Sequence, residues 1–256
     1  MELQHHNLTI SEGIAVVTMN RPPVNAQNRG MREEGIRLFD WLSDAPEVRV
    51  VILTGSGDVF SAGADIKERR GMTTEQGDYV RHNRQVREYF YAIADCEKPV
   101  IAAVNGPAIG AGFALMLASD IMLASENAWF QMPEVNVGLS GGNAFVANTF
   151  SKSRSRAMYM TARKYPASEL YRLGVLECVV PRDALMEEAM SFARDIAAKS
   201  ALAIATAKRA FVTGDGMAPR DAYRFEQGLT AAMSRSREAN EAQAAFVEKR
   251  AARYEE

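Results

Sequence analysis

Two short runs of small residues and one glutamate are the parts of this 256-residue chain best suited to chemistry. The first run, Ser61-Ala62-Gly63-Ala64, follows the nearly continuous β-branched stretch 48–54. The second, Gly110-Ala111-Gly112, follows 100–104. Where side chains are this small, main-chain N–H groups can closely approach a bound oxygen. Two such donors aimed at one oxygen stabilise negative charge developing on it. A helix opening at Gly110 adds the positive end of its dipole. The glutamate is Glu134, in Phe130-Gln131-Met132-Pro133-Glu134-Val135-Asn136-Val137-Gly138-Leu139. Beside Val135 and Val137 it is expected to be partly desolvated, with its pKa raised toward the range useful for shuttling a proton. Each part also has a plain reading. Small residues are common in strand–helix turns, a lone G-x-G is a weak signal, and a single glutamate is ordinarily a solvated charge.

The elements that must hold these residues follow from periodicity. Residues 8–10 and 14–19 read as strands joined at Glu12-Gly13, and Asn20-Arg21-Pro22-Pro23 ends the hairpin because proline cannot continue a ladder. Residues 28–42 and 80–94 have helical spacing, and 71–77 is a polar loop. Residues 48–54, 100–104 and 121–124 are buried strands, with a helix at 110–118. This alternation predicts an α/β fold with a parallel sheet and right-handed crossovers. The last strand is expected at 175–180, closed by Pro181, and helices dominate from 144 onward. The helical tail after about residue 200 is too short to form its own core.

Bulk composition excludes several classes. The chain is 47% hydrophobic and 24% charged, enough for a packed core under a soluble surface, and its formal net charge of -2 offers no field for nucleic acid or acidic membranes. Cys96 and Cys178 are expected to be free thiols, and His5, His6 and His82 supply neither a zinc spacing nor a nucleophilic triad, so no metal is expected. No charged and apolar leader and no apolar run of about 18 residues is seen, so a cytoplasmic protein is expected.

With their flanks, the runs become specific. Val51-Ile52-Leu53-Thr54-Gly55-Ser56-Gly57-Asp58-Val59-Phe60-Ser61-Ala62-Gly63-Ala64-Asp65-Ile66-Lys67-Glu68 and Lys98-Pro99-Val100-Ile101-Ala102-Ala103-Val104-Asn105-Gly106-Pro107-Ala108-Ile109-Gly110-Ala111-Gly112-Phe113-Ala114-Leu115 resemble the paired segments of the crotonase (enoyl-CoA hydratase/isomerase) family. The resemblance runs from Asn20-Arg21-Pro22 to the final helix. It implies a crotonase-like ββα superhelix, or spiral, over residues 1–199 with the acyl-CoA site, and a C-terminal helical trimerisation region at 200–256 in the same functional unit. It implies oxyanion donors at the N–H groups of Ala64 and Ala111 and a proton carrier at Glu134. The family's hydratases use two glutamates, and the first falls on Ala114, which cannot carry a proton. One glutamate at the Glu134 position is implied to suffice for double-bond isomerases and for hydratase-lyases of hydroxycinnamoyl-CoA. Single-glutamate isomerisation is therefore the leading expectation. Hydration or hydratase-lyase chemistry with a substituted second group is the alternative, and a non-catalytic acyl-CoA binder is the alternative of another class.

Asp65 and Glu68 are candidate compensating acids, Asp65 being read as structural because it belongs to the family's usual motif. Met132, Ser140 and Asn143 join Ala114 as candidate pocket residues, Ser140 and Asn143 to position a water. Phe113, Met116, Phe130 and Met132 suit a bulky acyl group or the plain core. Coenzyme A enters as part of the substrate, with no permanently bound cofactor. It is implied to meet Ala62, Asp65, Ile66 and Lys67, and Lys249 across a subunit boundary in a homotrimer or dimer of trimers. One branch of the family binds RNA through a lysine-rich helix. Here that helix reads Arg29-Gly30-Met31-Arg32-Glu33-Glu34-Gly35-Ile36-Arg37, with both signs mixed, so no nucleic acid is expected.

Overall fold

The computed structural model describes residues 2–70 and 77–254. The chain opens with the antiparallel hairpin β1 (His6–Ser11) and β2 (Ile14–Met19). Its turn residues Glu12 and Gly13 sit at φ 54° and 76°, the left-handed pair that a tight hairpin requires. Next come α1 (Arg29–Asp44), β3 (Val50–Gly55), α2 (Ile66–Arg70), α3 (Asp78–Ala94) and β4 (Val100–Val104). They are followed by β5 (Ala108–Ile109), α4 (Ala111–Leu117), β6 (Ile121–Ser125), β7 (Trp129–Gln131), α5 (Asn143–Thr149) and α6 (Lys152–Thr161). The chain continues with β8 (Tyr165–Pro166), α7 (Ala167–Arg172), β9 (Cys178–Val180) and α8 (Leu185–Ala197). It closes with α9 (Ala201–Gly214), α10 (Pro219–Met233) and α11 (Arg237–Glu248).

One sheet has the order β1-β2-β3-β4-β6-β9 and is parallel from β2 onward. A second, small sheet has the order β5-β7-β8. Both faces of the large sheet are covered, which is why its inner strands read as unbroken apolar runs. Alternation still sorts their side chains. Val50 and Ile52 join Ile101, Ala103 and Leu123 against Leu185, Ala189 and Ala193 of α8. Val51 and Leu53 join Ala102 and Val104 in the larger core with Leu38, Phe39 and Leu42 of α1 and Phe113 of α4.

The structure departs from the sequence reading in two places. The strand expected at 175–180 shortens to Cys178–Val180, because Val175 and Leu176 enter the core before pairing begins. β5, β7 and β8 were not foreseen, since strands of two or three residues carry no periodic signal. The loop expected at 71–77 lies outside the described residues except for Gly77, the left-handed cap of α3. Cys96 and Cys178 are free. Among the described residues no helix is long and apolar enough to cross a membrane.

Candidate active site

Three segments leave the C-terminal ends of β3, β4 and β6 and converge. The first two are joined edge to edge. Ser61 forms an isolated parallel bridge with Ala108, and Ile109 N donates to Ser61 O at 2.9 Å. Gly63 then abuts the start of α4: a Cβ there would lie 2.4 Å from Ile109 O and 3.1 Å from Ala111 N. The third segment arrives through the parallel pairing of β5 with β7. Gly110 N donates to Gln131 O at 2.8 Å, and a Cβ on Gly110 would lie 2.5 Å from Glu134 Oε1. Gly110 is also at φ 53°, so both its conformation and this close approach require glycine. The Glu134 carboxylate thus rests against the backbone of the second segment. Glu134 opens a 3-10 turn (Glu134–Val137) closed by Gly138, and is itself half-buried with its Oε2 fully buried.

Around this junction most amides are engaged. Gly63 N donates to Ser61 Oγ at 3.2 Å, Asp65 N to Gln27 O at 3.1 Å, and Ala114 N to Gly110 O at 3.0 Å. Ala64 N–H and Ala111 N–H make no hydrogen bond among the described residues. For Ala111 this is the ordinary state of a first helical residue. Both residues line one cleft of about 240 Å³, together with Glu134 and Ala114.

The cleft therefore gathers Ala62, Ala64, Ile66, Ala111, Ala114, Glu134 and Ser140 from the residues picked out in the sequence. It does not gather Asp65, Lys67, Met132, Asn143 or Lys249. Asp65 Oδ1 accepts from Lys67 N at 2.9 Å and Glu68 N at 3.3 Å, and Oδ2 accepts from Arg21 Nη2 at 2.7 Å. Burial pushes its pKa up, but these donors outweigh it and hold the carboxyl below its usual range. Asp65 is thus tied to Arg21 and to the start of α2. Glu68 faces Arg29 N and Arg32 and does not line the cleft. Met132 is fully buried along with Phe113, Met116 and Phe130, and none of the four lines the cleft. Asn143 stands behind Ser140, with its Nδ2 at 3.4 Å from Ser140 Oγ. Lys67 is exposed, and Lys249 is the exposed left-handed cap of α11.

Sequence reasoning missed one wall and two braces. Tyr79, Asn83, Val86 and Phe90 of α3 line the cleft. Their spacing marks one helical face, but such a stripe is indistinguishable from a core-facing one. Asn25, fully buried, donates through Nδ2 to Ser56 O at 3.0 Å, Val59 O at 2.8 Å and Phe60 O at 3.2 Å, bracing the first segment. Tyr159 OH accepts from Gly141 N at 2.7 Å and donates to Gly141 O at 3.1 Å, fastening the loop that carries Ser140.

Comparison with known proteins places this arrangement in a wider set. A profile described as enoyl-CoA hydratase/isomerase matches residues 9–256. A (7aS)-7a-methyl-1,5-dioxo-2,3,5,6,7,7a-hexahydro-1H-indene-carboxyl-CoA hydrolase of Rhodococcus jostii is 38% identical over 94% of this chain and 93% of its own. A short-chain-enoyl-CoA hydratase of Clostridium acetobutylicum is 34% identical, covering 98% of this chain and 97% of its own. The crystal structure of an enoyl-CoA hydratase from Bacillus anthracis superposes with a TM-score of 0.92 at 31% identity, covering 98% of this chain and 99% of that one.

Proposed function

Because the chain belongs to the enoyl-CoA hydratase/isomerase, or crotonase, family of acyl-CoA-converting enzymes, we propose that it moves a proton next to a CoA thioester with Glu134 as the proton carrier. The observation behind this reading is the single cleft shared by Glu134, Ala64 and Ala111, in which position 114 contributes only a methyl group. In the proposed reaction the Ala64 and Ala111 N–H groups hold the thioester oxygen. Glu134 takes a proton from C2 of a 3-enoyl-CoA, and the electron pair moves onto that oxygen as an enolate. The protonated glutamate then delivers the proton to C4, leaving a double bond between C2 and C3. The base is regenerated and no water is consumed, so one carboxylate suffices.

A second reading is favoured by the Rhodococcus jostii relative, whose name describes hydrolysis of a bicyclic dioxo acyl-CoA. For a ring ketone β to the thioester, Glu134 would activate water for attack on that ketone. Carbon–carbon cleavage would leave a carboxylate and the same thioester enolate, which is then protonated. Ala114 leaves room for a ring where a glutamate would stand.

An ultraviolet assay separates these readings. Double-bond conjugation with the thioester raises absorbance, and hydration of a trans-2-enoyl-CoA lowers it. The expected result is a gain with 3-enoyl-CoA that falls by about 10²–10⁴-fold in Glu134→Gln. Consumption of a cyclic β-oxo acyl-CoA with no gain on the 3-enoyl substrate would select hydrolysis. Loss of absorbance with the 2-enoyl substrate would select hydration. Thioester binding with none of these turnovers would leave a binder.

A further inference from the structure

We propose that Arg32 is a positioning residue for the Ala64 N–H, acting through Gln27, and that its guanidinium also ties α2 and α3, which carry cleft walls, to α1. The proposal rests on the reading of Ala64 N–H as an oxyanion donor.

Arg32 projects from α1 into the interior and is 1% exposed. A cation buried to this degree is retained only where its donors are met. Nη1 donates to Gln27 O at 2.7 Å, and Nη2 donates to Glu68 Oε2 at 3.0 Å and lies 3.3 Å from His82 Nδ1.

Gln27 is what connects this guanidinium to the site. Gln27 N donates to Gly63 O at 2.7 Å, and Gln27 O also accepts from Asp65 N at 3.1 Å. Gly63 O and Ala64 N–H belong to one peptide unit, which is planar with the two groups pointing in opposite directions. Anchoring Gly63 O on Gln27 therefore turns Ala64 N–H the other way, toward the cleft that Ala64 lines. Arg32 holds the carbonyl of the residue that does the anchoring.

The other two contacts reach the walls. Glu68 lies on α2 with the cleft residue Ile66, and its second oxygen accepts from Arg29 N at 2.7 Å, at the start of α1. His82 lies on α3, where the ring of Tyr79, another cleft residue, packs edge-on against it at 5.9 Å between centroids. One guanidinium fork thus spans the donor loop, α2 and α3. Lysine, a point charge on a flexible stem, cannot meet three acceptors in that fixed geometry. Donors of this kind act only when held within about 0.5 Å of the productive position.

The test uses acetoacetyl-CoA, whose acidic carbon lies between two carbonyls and whose enolate absorbs in the near ultraviolet. Oxyanion donors favour the enolate without any turnover. The wild-type protein is expected to raise the enolate band on binding. Arg32→Met is expected to lower both that band at saturation and kcat by about tenfold or more, with KM changed by less than about threefold. Arg32→Lys is expected to recover part of the loss, and Glu68→Gln to fall between. Lys208→Met, which removes another buried cation away from the cleft, is expected to leave both readouts within about twofold of wild type. Folded Arg32→Met and Glu68→Gln proteins that match wild type in both readouts would overturn the proposal. Should Arg32→Met not fold, Arg32→Lys and Glu68→Gln decide by the same criterion. Absence of the band in wild type would instead remove the oxyanion reading of Ala64 and Ala111, and this proposal with it.

Discussion

Around the cleft, polar side chains lie inside the protein and are engaged: Asn25, Arg32 and Ser61 are buried and donate to backbone carbonyls, and buried Gln27 donates through Nε2 to Ser61 Oγ. In the C-terminal arm, α9 to α11, the distribution is reversed. Phe246 is 85% exposed and Phe211 76%, while Lys208 and Ala245 are the buried residues among 201–254. The cleft backbone is braced by buried polar groups that have few alternative arrangements. The arm presents apolar surface that one chain does not cover, the kind of surface that marks an interaction site. One region is tied together by contacts within the chain. The other is attached to it at a few points, chiefly Lys208 Nζ, which donates to Lys98 O at 2.9 Å and Asp120 Oδ2 at 2.8 Å.

The sharpest way to break this contrast is Gly110→Ala. The new Cβ would lie 2.5 Å from Glu134 Oε1 at a φ of 53°. Turnover is expected to fall by about 100-fold, with a loss of stability of only about 1–3 kcal/mol by urea unfolding. Next is Lys208→Met, which leaves Asp120 without its buried cation. It is expected to cost about 1–3 kcal/mol in the same unfolding measurement, since Asp120 is partly exposed and keeps its bond from Val100 N, while kcat per folded molecule is retained. A kcat that fell in proportion would mean that arm and cleft are not separable. Self-association is the third test. Light scattering of wild type is expected to give a multiple of 28.1 kDa, and Phe246→Asp a smaller one. A wild-type monomer would leave the exposed apolar face unexplained by a second copy.

A pH titration probes the braced region more gently. His6 is buried, with Nδ1 2.8 Å from Glu34 Oε1 and Nε2 3.2 Å from Tyr89 OH. Burial lowers its pKa below the ordinary 6.5 despite Glu34, so the folded state keeps the ring neutral to lower pH than the unfolded state does. The unfolded chain therefore takes up the proton first. Stability is full above the imidazole range and declines as pH falls through 6.5 toward the folded pKa. His6→Gln is expected to flatten that decline in urea midpoints. The smallest effect is expected from Gly228→Ala in α10, where a Cβ would meet nothing within 4 Å. The arm should gain about 0.5–1 kcal/mol from helix propensity, the opposite sign to the same substitution at Gly110.

How much of this was legible varies with the kind of residue. Gly63, Ala64, Gly110 and Ala111 stand in runs whose smallness and flanks are visible in one dimension, and all line the cleft. Glu134 was visible as a lone carboxylate after a proline. Phe113, Phe130 and Met132 were ambiguous, because an apolar side chain next to a site has the same composition whether it faces ligand or core. The structure buries all three. Asn25, Gln27 and Arg32 gave no signal, since a polar residue beside a proline-rich turn looks solvated until another segment covers it.

The sequence by itself determined the family, the main buried strands, the two small-residue loops and the absence of a carboxylate at position 114. These are local patterns, set by side-chain size, periodicity and the identity of single residues. Only the tertiary structure decided that the two loops abut, that Glu134 lies over Gly110, that Asp65 and Glu68 turn to arginines, and that α3 supplies a cleft wall. Each of these depends on contacts between residues far apart in the chain, created when the parallel strands align in register and bring their following loops to one end of the sheet.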